Sequence, residues 1–230
     1  MMHVMLLAVA LQAPPPAQLT LDLGFVNSSG NSDVTTFNLG QKLSVTRGTW
    51  VFAQNAKVLY GETDGSATAE SYDAGLRADY VIKERVSAFG LLTYNRNPFA
   101  GTASRFAEGV GVGLRALRAA RDSLSVEGSV AVNQERTTAD VERTFGTMRG
   151  ALAYKHLFGT TAFFTQVLEA VLNMQDSEDL RVNSETAFTA PLSRQIALKA
   201  SYVVRFDNQP EPGFNDTDRI FTTGVQIVFD

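Results

Sequence analysis

Cysteine is absent from the 230 residues. That excludes disulfides, thiolate metal sites and cysteine nucleophiles, and it suits a chain that crosses an oxidising compartment without mispairing. Histidine is nearly absent, with only His3 and His156, so a hydrolase built on a histidine general base has little to draw on. No apolar run approaches the roughly 18 residues that a membrane helix requires, which excludes a helical membrane protein. Basic clusters are missing too. The 20 Lys and Arg residues are scattered singly among 24 Asp and Glu, for a formal charge of −4, and such a chain offers no electrostatic footprint for nucleic acid.

One short apolar segment stands at the N-terminus. Val4 to Leu11 reads VMLLAVAL, with small residues for cleavage around Ala10 or Ala13 and then the breaker Pro14-Pro15-Pro16. This is the h-region and cleavage zone of a secretory signal peptide, although Met1-Met2-His3 supplies no Lys or Arg ahead of it. Residues 1–16 are therefore expected to be removed on export, leaving 17–230 as one domain.

From about Ala17 the hydrophobic period is two, and it stays two to the C-terminus. Tyr72, Ala74, Leu76, Ala78, Tyr80 and Ile82 alternate with Ser71, Asp73, Gly75, Arg77 and Asp79. Later, Ile196, Leu198, Ala200, Tyr202, Val204 and Phe206 oppose Lys199, Ser201, Arg205 and Asp207. Short turns fall at Thr46 to Gly48, Lys83 to Arg85, Ala119 to Asp122, Phe158 to Thr160 and Ser193 to Gln195. Longer polar stretches fall at Ser28 to Ser32, Glu62 to Thr68, Asn95 to Ser104, Arg136 to Arg143, Gln175 to Asp179 and Asn208 to Asp216.

Five short turns and six longer connections delimit twelve strands with both ends on the short-turn side. The fold expected is all-β: a transmembrane, antiparallel, up-and-down β-barrel with short periplasmic turns and longer extracellular loops. Strands of about 12 residues fit a tilted membrane crossing better than the usual globular strand of about 5–6. Alternation alone leaves open which face is inside, so a soluble barrel is the rival; the export segment, strand length and loop asymmetry favour apolar-out. Aromatics near strand ends, including Trp50, Phe52, Tyr80 and Phe158 at the turns, suit interfacial girdles.

The last strand carries Phe221, Thr223, Val225, Ile227 and Phe229 on one face. It resembles the C-terminal signal that outer-membrane proteins present to their insertion machinery, with Phe221, Val225, Ile227 and Phe229 as its apolar residues. Here Asp230 follows the aromatic residue that normally ends it.

Four further stretches carry a family resemblance: Leu23 to Gly40 (LGFVNSSGNSDVTTFNLG), Leu59 to Gly65 (LYGETDG), Val86 to Gly101 (VSAFGLLTYNRNPFAG) and Tyr202 to Asp218 (YVVRFDNQPEPGFNDTD). In this order they resemble the salt-induced outer-membrane protein family, a family built on a domain of unknown function. The resemblance implies an outer-membrane barrel of a Gram-negative bacterium and supplies no catalytic residues.

Function must then be sought among the inward charges. Counting from the turns puts Arg149, Glu169 and Glu185 at similar depths on consecutive strands, with Lys57 comparable elsewhere and Lys199 lower on the next strand. Arg77, Asp79, Glu127 and Lys155 form a lower set. Carboxylates in a narrow lumen are costly unless paired, so the five upper residues are expected to form one salt-bridged layer, either a polar plug or an ion-selecting constriction. His156 falls beside the Phe158 turn and by parity on the lipid face, and reads as an interfacial histidine. The acidic loop residues Asp176, Glu178, Asp179, Asp216 and Asp218 match no coordination loop. The glycines of GVGVG (109–113) make room for long side chains opposite.

The expected protein is thus a non-enzymatic, porin-like barrel of the cell outer membrane, without cofactor or metal. It would be monomeric and surrounded by outer-membrane lipid and lipopolysaccharide. Two roles are left open: a structural or envelope-stress component with a narrow or closed charged lumen, and a passive channel for small solutes or ions.

Overall fold

The computed structural model describes residues 17–29, 34–63, 66–159 and 161–229. Residues 1–16, where a signal peptide is expected, and Asp230 lie outside the described residues. Twelve strands run in chain order: β1 (Ala17–Ser29), β2 (Val34–Arg47), β3 (Trp50–Thr63), β4 (Ser66–Lys83), β5 (Val86–Asn97), β6 (Thr102–Arg118), β7 (Asp122–Thr137), β8 (Glu142–Phe158), β9 (Ala162–Asn173), β10 (Leu180–Pro191), β11 (Ile196–Asp207) and β12 (Thr217–Phe229). Each pairs antiparallel with its neighbours in sequence, and β1 pairs with β12 to close the barrel. Closure leaves no strand edge, so every ladder hydrogen bond is made within the chain.

The closing seam explains one glycine pair. Gly24 lies directly opposite Gly224, and a methyl group on Gly224 would fall 2.0 Å from the Leu23 carbonyl oxygen. Only hydrogen fits where the first and last strands meet.

Side chains are distributed inside-out relative to a soluble barrel. Leu76 and Leu198 are 54% and 50% exposed on the outer face, whereas Arg77 and Glu169 are 5% and 1% exposed within. Phe221, Val225 and Phe229 of β12 are exposed on the same outer face. Trp50, Phe52 and Tyr80 cluster at the turn end, with ring centroids 5.9 Å (Trp50–Phe52) and 5.1 Å (Trp50–Tyr80) apart.

The strands are 12 to 18 residues long, and several reach into stretches whose composition reads as loop. The connection expected over Glu62 to Thr68 is reduced to residues 64–65, and that over Arg136 to Arg143 to 138–141. Ladder bonding continues through polar residues because the backbone, not the side chain, makes it. The long connections that persist are 174–179 and 208–216.

Candidate functional site

The inward positions of β4 to β10 build one continuous network. Arg77 on β4 is gripped along two edges: Nε and Nη2 donate to Asp79 at 2.8 and 2.7 Å, and Nη1 and Nη2 donate to Glu127 on β7 at 3.0 and 2.9 Å. Arg149 on β8 donates from Nη1 to the same Glu127 at 3.3 Å and from Nε to Glu169 on β9. Glu169 accepts a further bond from Asn183 Nδ2 on β10 at 3.0 Å. The sequence Asp79–Arg77–Glu127–Arg149–Glu169–Asn183 thus crosses half of the barrel with buried, multiply bonded charges. Two arginines serve three carboxylates, and the planar guanidinium fork suits such two-edged pairing.

Glycine makes this network possible at one point. The Arg77 guanidinium lies 3.8 Å from the centroid of the Phe89 ring, a stacked cation–π contact. A methyl on Gly111, across the β5–β6 ladder, would approach Phe89 Cζ at 2.4 Å and Ser129 Cβ at 2.6 Å. The glycine run 109–113 therefore opens space at this depth for an aromatic ring and the arginine above it.

The opposite side, formed by β1–β3 and β10–β12, is built differently. Lys199 Nζ donates to Asp22 at 3.3 Å, and Gln226 Nε2 donates to the other Asp22 oxygen at 2.9 Å. Lys57, Glu185 and Arg205 join Asp22 and Lys199 around a void of about 90 Å³. The charges of Lys57, Lys199, Arg205 and Lys42 all act on Glu185. Lys42 and Lys57 point inward yet are exposed, so water reaches them inside the barrel.

The single layer expected from turn-counting is corrected by this geometry. Arg149 and Glu169 belong to the first network together with Arg77, Asp79 and Glu127 of the supposed lower set, whereas Lys57, Glu185 and Lys199 belong to the second. The register gives the reason: Asn183, not Glu185, lies opposite Glu169, and Glu185 lies opposite Val167. A two-residue offset along β10 turns Glu185 to the other group. Lys155 joins neither network; its ammonium lies 4.0 Å from the Phe163 ring centroid.

Composition gave no separate signal for other inward pairs. Arg105 on β6 meets Glu135 on β7, both buried, and Arg181 meets Asp179 at 2.8 Å and Asp207 at 3.5 Å toward the loop end. The same parity that selected Arg149 places Arg105, Glu135, Arg181 and Asp207 on the inward face, but pairing them needs the register.

On the outer face, His156 Nδ1 lies 2.8 Å from Asp122 Oδ1, which also accepts from the Tyr154 hydroxyl at 2.6 Å. The ring packs edge-on against Phe158 at 4.7 Å between centroids. These contacts anchor an interfacial histidine at the turn end. Further along, Gln166 is satisfied by Thr186 and Ser184 at 2.6 and 2.9 Å, which removes much of the cost of an outward amide.

The family model described as "Protein of unknown function, DUF481" matches residues 21–229. The chain belongs to this family. A curated relative, "Uncharacterized protein YdiY" of Escherichia coli (strain K12), is 25% identical over 221 residues, spanning 93% of this chain and 83% of the relative. Among solved structures, the barrel is similar to the NanC porin, with TM-score 0.63 at 9% identity over 90% of this chain and 98% of that one. It is also similar to a bacterial polysaccharide outer membrane secretin, with TM-score 0.52 at 8% identity over 93% and 97%. These likenesses bear on the fold alone.

Proposed function

We propose that the chain is an outer-membrane barrel of a Gram-negative bacterium, exported with loss of residues 1–16, whose charged lumen is narrow and whose first role is structural. The observation that carries the membrane reading is the inside-out distribution of side chains. A band of exposed Leu, Val, Ile and aromatic residues around a polar interior is costly in water and suited to hydrocarbon. Outer-membrane lipid and lipopolysaccharide then form its surroundings, as a monomer, and β12 with Phe221, Val225, Ile227 and Phe229 outward acts as the segment read by the insertion machinery. A role in the response to envelope stress belongs to the same reading.

The narrow lumen rests on the arginine–carboxylate network. Voids beside it measure about 60 and 70 Å³, room for a few waters each. The test is fractionation with the outer membrane and a heat-modifiable band on gels, together with single-channel currents well below those of a wide porin. Recovery as a soluble monomer without detergent overturns the membrane reading, and large steady conductance overturns the narrow lumen.

A second reading, a passive path for small ions or solutes, is favoured by the water-exposed Lys42 and Lys57 on the β2–β3 side. The porin among the structural neighbours makes it a natural alternative use of this fold.

A further inference from the structure

The water-reached side of the lumen gathers charges of both signs, and the two most exposed of them are lysines, Lys42 and Lys57. Four cations, Lys42, Lys57, Lys199 and Arg205, surround Asp22 and Glu185, while Asp73 from β4 acts on Arg205 and Lys57 and Asp218 on β12 lies across the ladder from Arg205. Asp22 is engaged through both oxygens, by Lys199 and by Gln226. Asp73 is buried and held by Asn95 Nδ2 at 2.8 Å and Ser71 Oγ at 3.4 Å. Glu185 is different: it sits at the edge of the 90 Å³ void, half-buried, in the combined field of all four cations. Its carboxylate occupies the place that a soluble anion would take.

We infer that the β1–β3 and β10–β12 side of the lumen is an anion subsite, suited to a small carboxylate- or phosphate-bearing solute, and that Glu185 is its tethered occupant. The inference rests on the passive-path reading above. The void admits a group of phosphate or carboxylate size, and lysines supply mobile, hydrated point charges that bind and release more readily than a fixed arginine fork. The network on the opposite wall carries one excess negative charge, from Asp79, Glu127 and Glu169 against Arg77 and Arg149. An anion is therefore pushed from that wall toward the lysines, and a cation is drawn to charges that are already buried and bonded.

Removing the tethered charge should leave the ring open to ions from solution. A unit charge several ångströms away in a water-filled space changes occupancy by about threefold. Reversal potentials of the refolded, full-length protein in planar bilayers under a potassium chloride gradient provide the measurement, with inorganic phosphate then added as a competing blocker. The expected result is anion preference in the unaltered protein, raised about threefold by Glu185→Gln and lowered by Lys57→Gln, with phosphate block strengthened by the first and weakened by the second. Cation preference, or equal phosphate block in Glu185→Gln and Lys57→Gln, overturns the subsite while leaving the passive path standing. Complete absence of openings in protein that still shows the heat-modifiable band overturns the passive path and the subsite together. Should Glu185→Gln fail to assemble, Lys57→Gln alone carries the same test through loss of phosphate block, and unchanged block there overturns the subsite.

Discussion

On the wall from β4 to β9 the networked cations Arg77 and Arg149 are arginines, each in direct contact with two or more carboxylate oxygens, with side chains only 3% and 13% exposed. Across the lumen, from β10 round to β3, the cations are mostly lysines that water reaches, and Glu185 is held by the field of several cations at once. The first wall behaves as structure. Each charge there was desolvated on folding and is compensated by bonded partners, so no member can be removed alone without leaving another exposed to low dielectric. The second wall keeps much of its hydration, so its charges are cheap to change and free to act on ions in the lumen. Burial, more than the count of charges, separates a plug from a binding surface.

The largest effect should come from breaking the sealed wall at its centre. Arg77→Met strands Asp79 and leaves Glu127 with Arg149 alone, and should lower stability by about 3–5 kcal/mol, read as an earlier denaturant midpoint in detergent or vesicles. A midpoint close to that of the unaltered protein would show that the two walls do not differ as described. Next, the outer face can be set against the lumen: Leu198→Arg places a charge in hydrocarbon at about 2–4 kcal/mol near the midplane, whereas Lys199→Ala on the neighbouring inward position should assemble well. Assembly yields scored by heat-modifiability check this, and equal yields contradict the assignment of faces.

Smaller effects sharpen the comparison. Gly111→Ala pushes a methyl against Phe89, Ser129 and the Gly128 carbonyl, and such overpacking should cost about 1–3 kcal/mol; Gly128→Ala, where a methyl meets nothing within 4 Å, is the control. Arg149→Met should destabilise through Glu169, and adding Glu169→Gln should restore about 1–2 kcal/mol of that loss, as expected for residues in one network. A double-mutant cycle gives the coupling, and strict additivity would deny the contact. Smallest of all, Lys57→Gln should alter the denaturant midpoint by no more than about 0.5 kcal/mol while changing ion preference, a pairing that Arg77→Met should not show.

Much of the fold was legible because strand periodicity is a local property. The alternation of Tyr72, Leu76 and Tyr80 with Asp73, Arg77 and Asp79 gives strand and face together, and the turns at Gly48 and Arg85 delimit the strands. Their extent was less legible. Glu142 and Arg143 are polar, yet they continue β8 because they pair with Arg136 and Glu135. The candidate site divided in the same way. Parity identified Arg149, Glu169, Glu185 and Lys199 as inward, but their grouping depended on a two-residue offset between β9 and β10 that no single segment records.

By itself, the sequence determined the period of two, the number of strands and which side chains share a face, since each follows from neighbours along the chain. Only the tertiary structure decided that Arg77 on β4 reaches Glu127 on β7, that Gly111 yields its space to Phe89, and that Glu185 joins the lysines rather than Arg149. Those contacts cross the lumen or run diagonally between strands, and they are fixed by barrel closure and ladder register, which set how far each strand is displaced against the next.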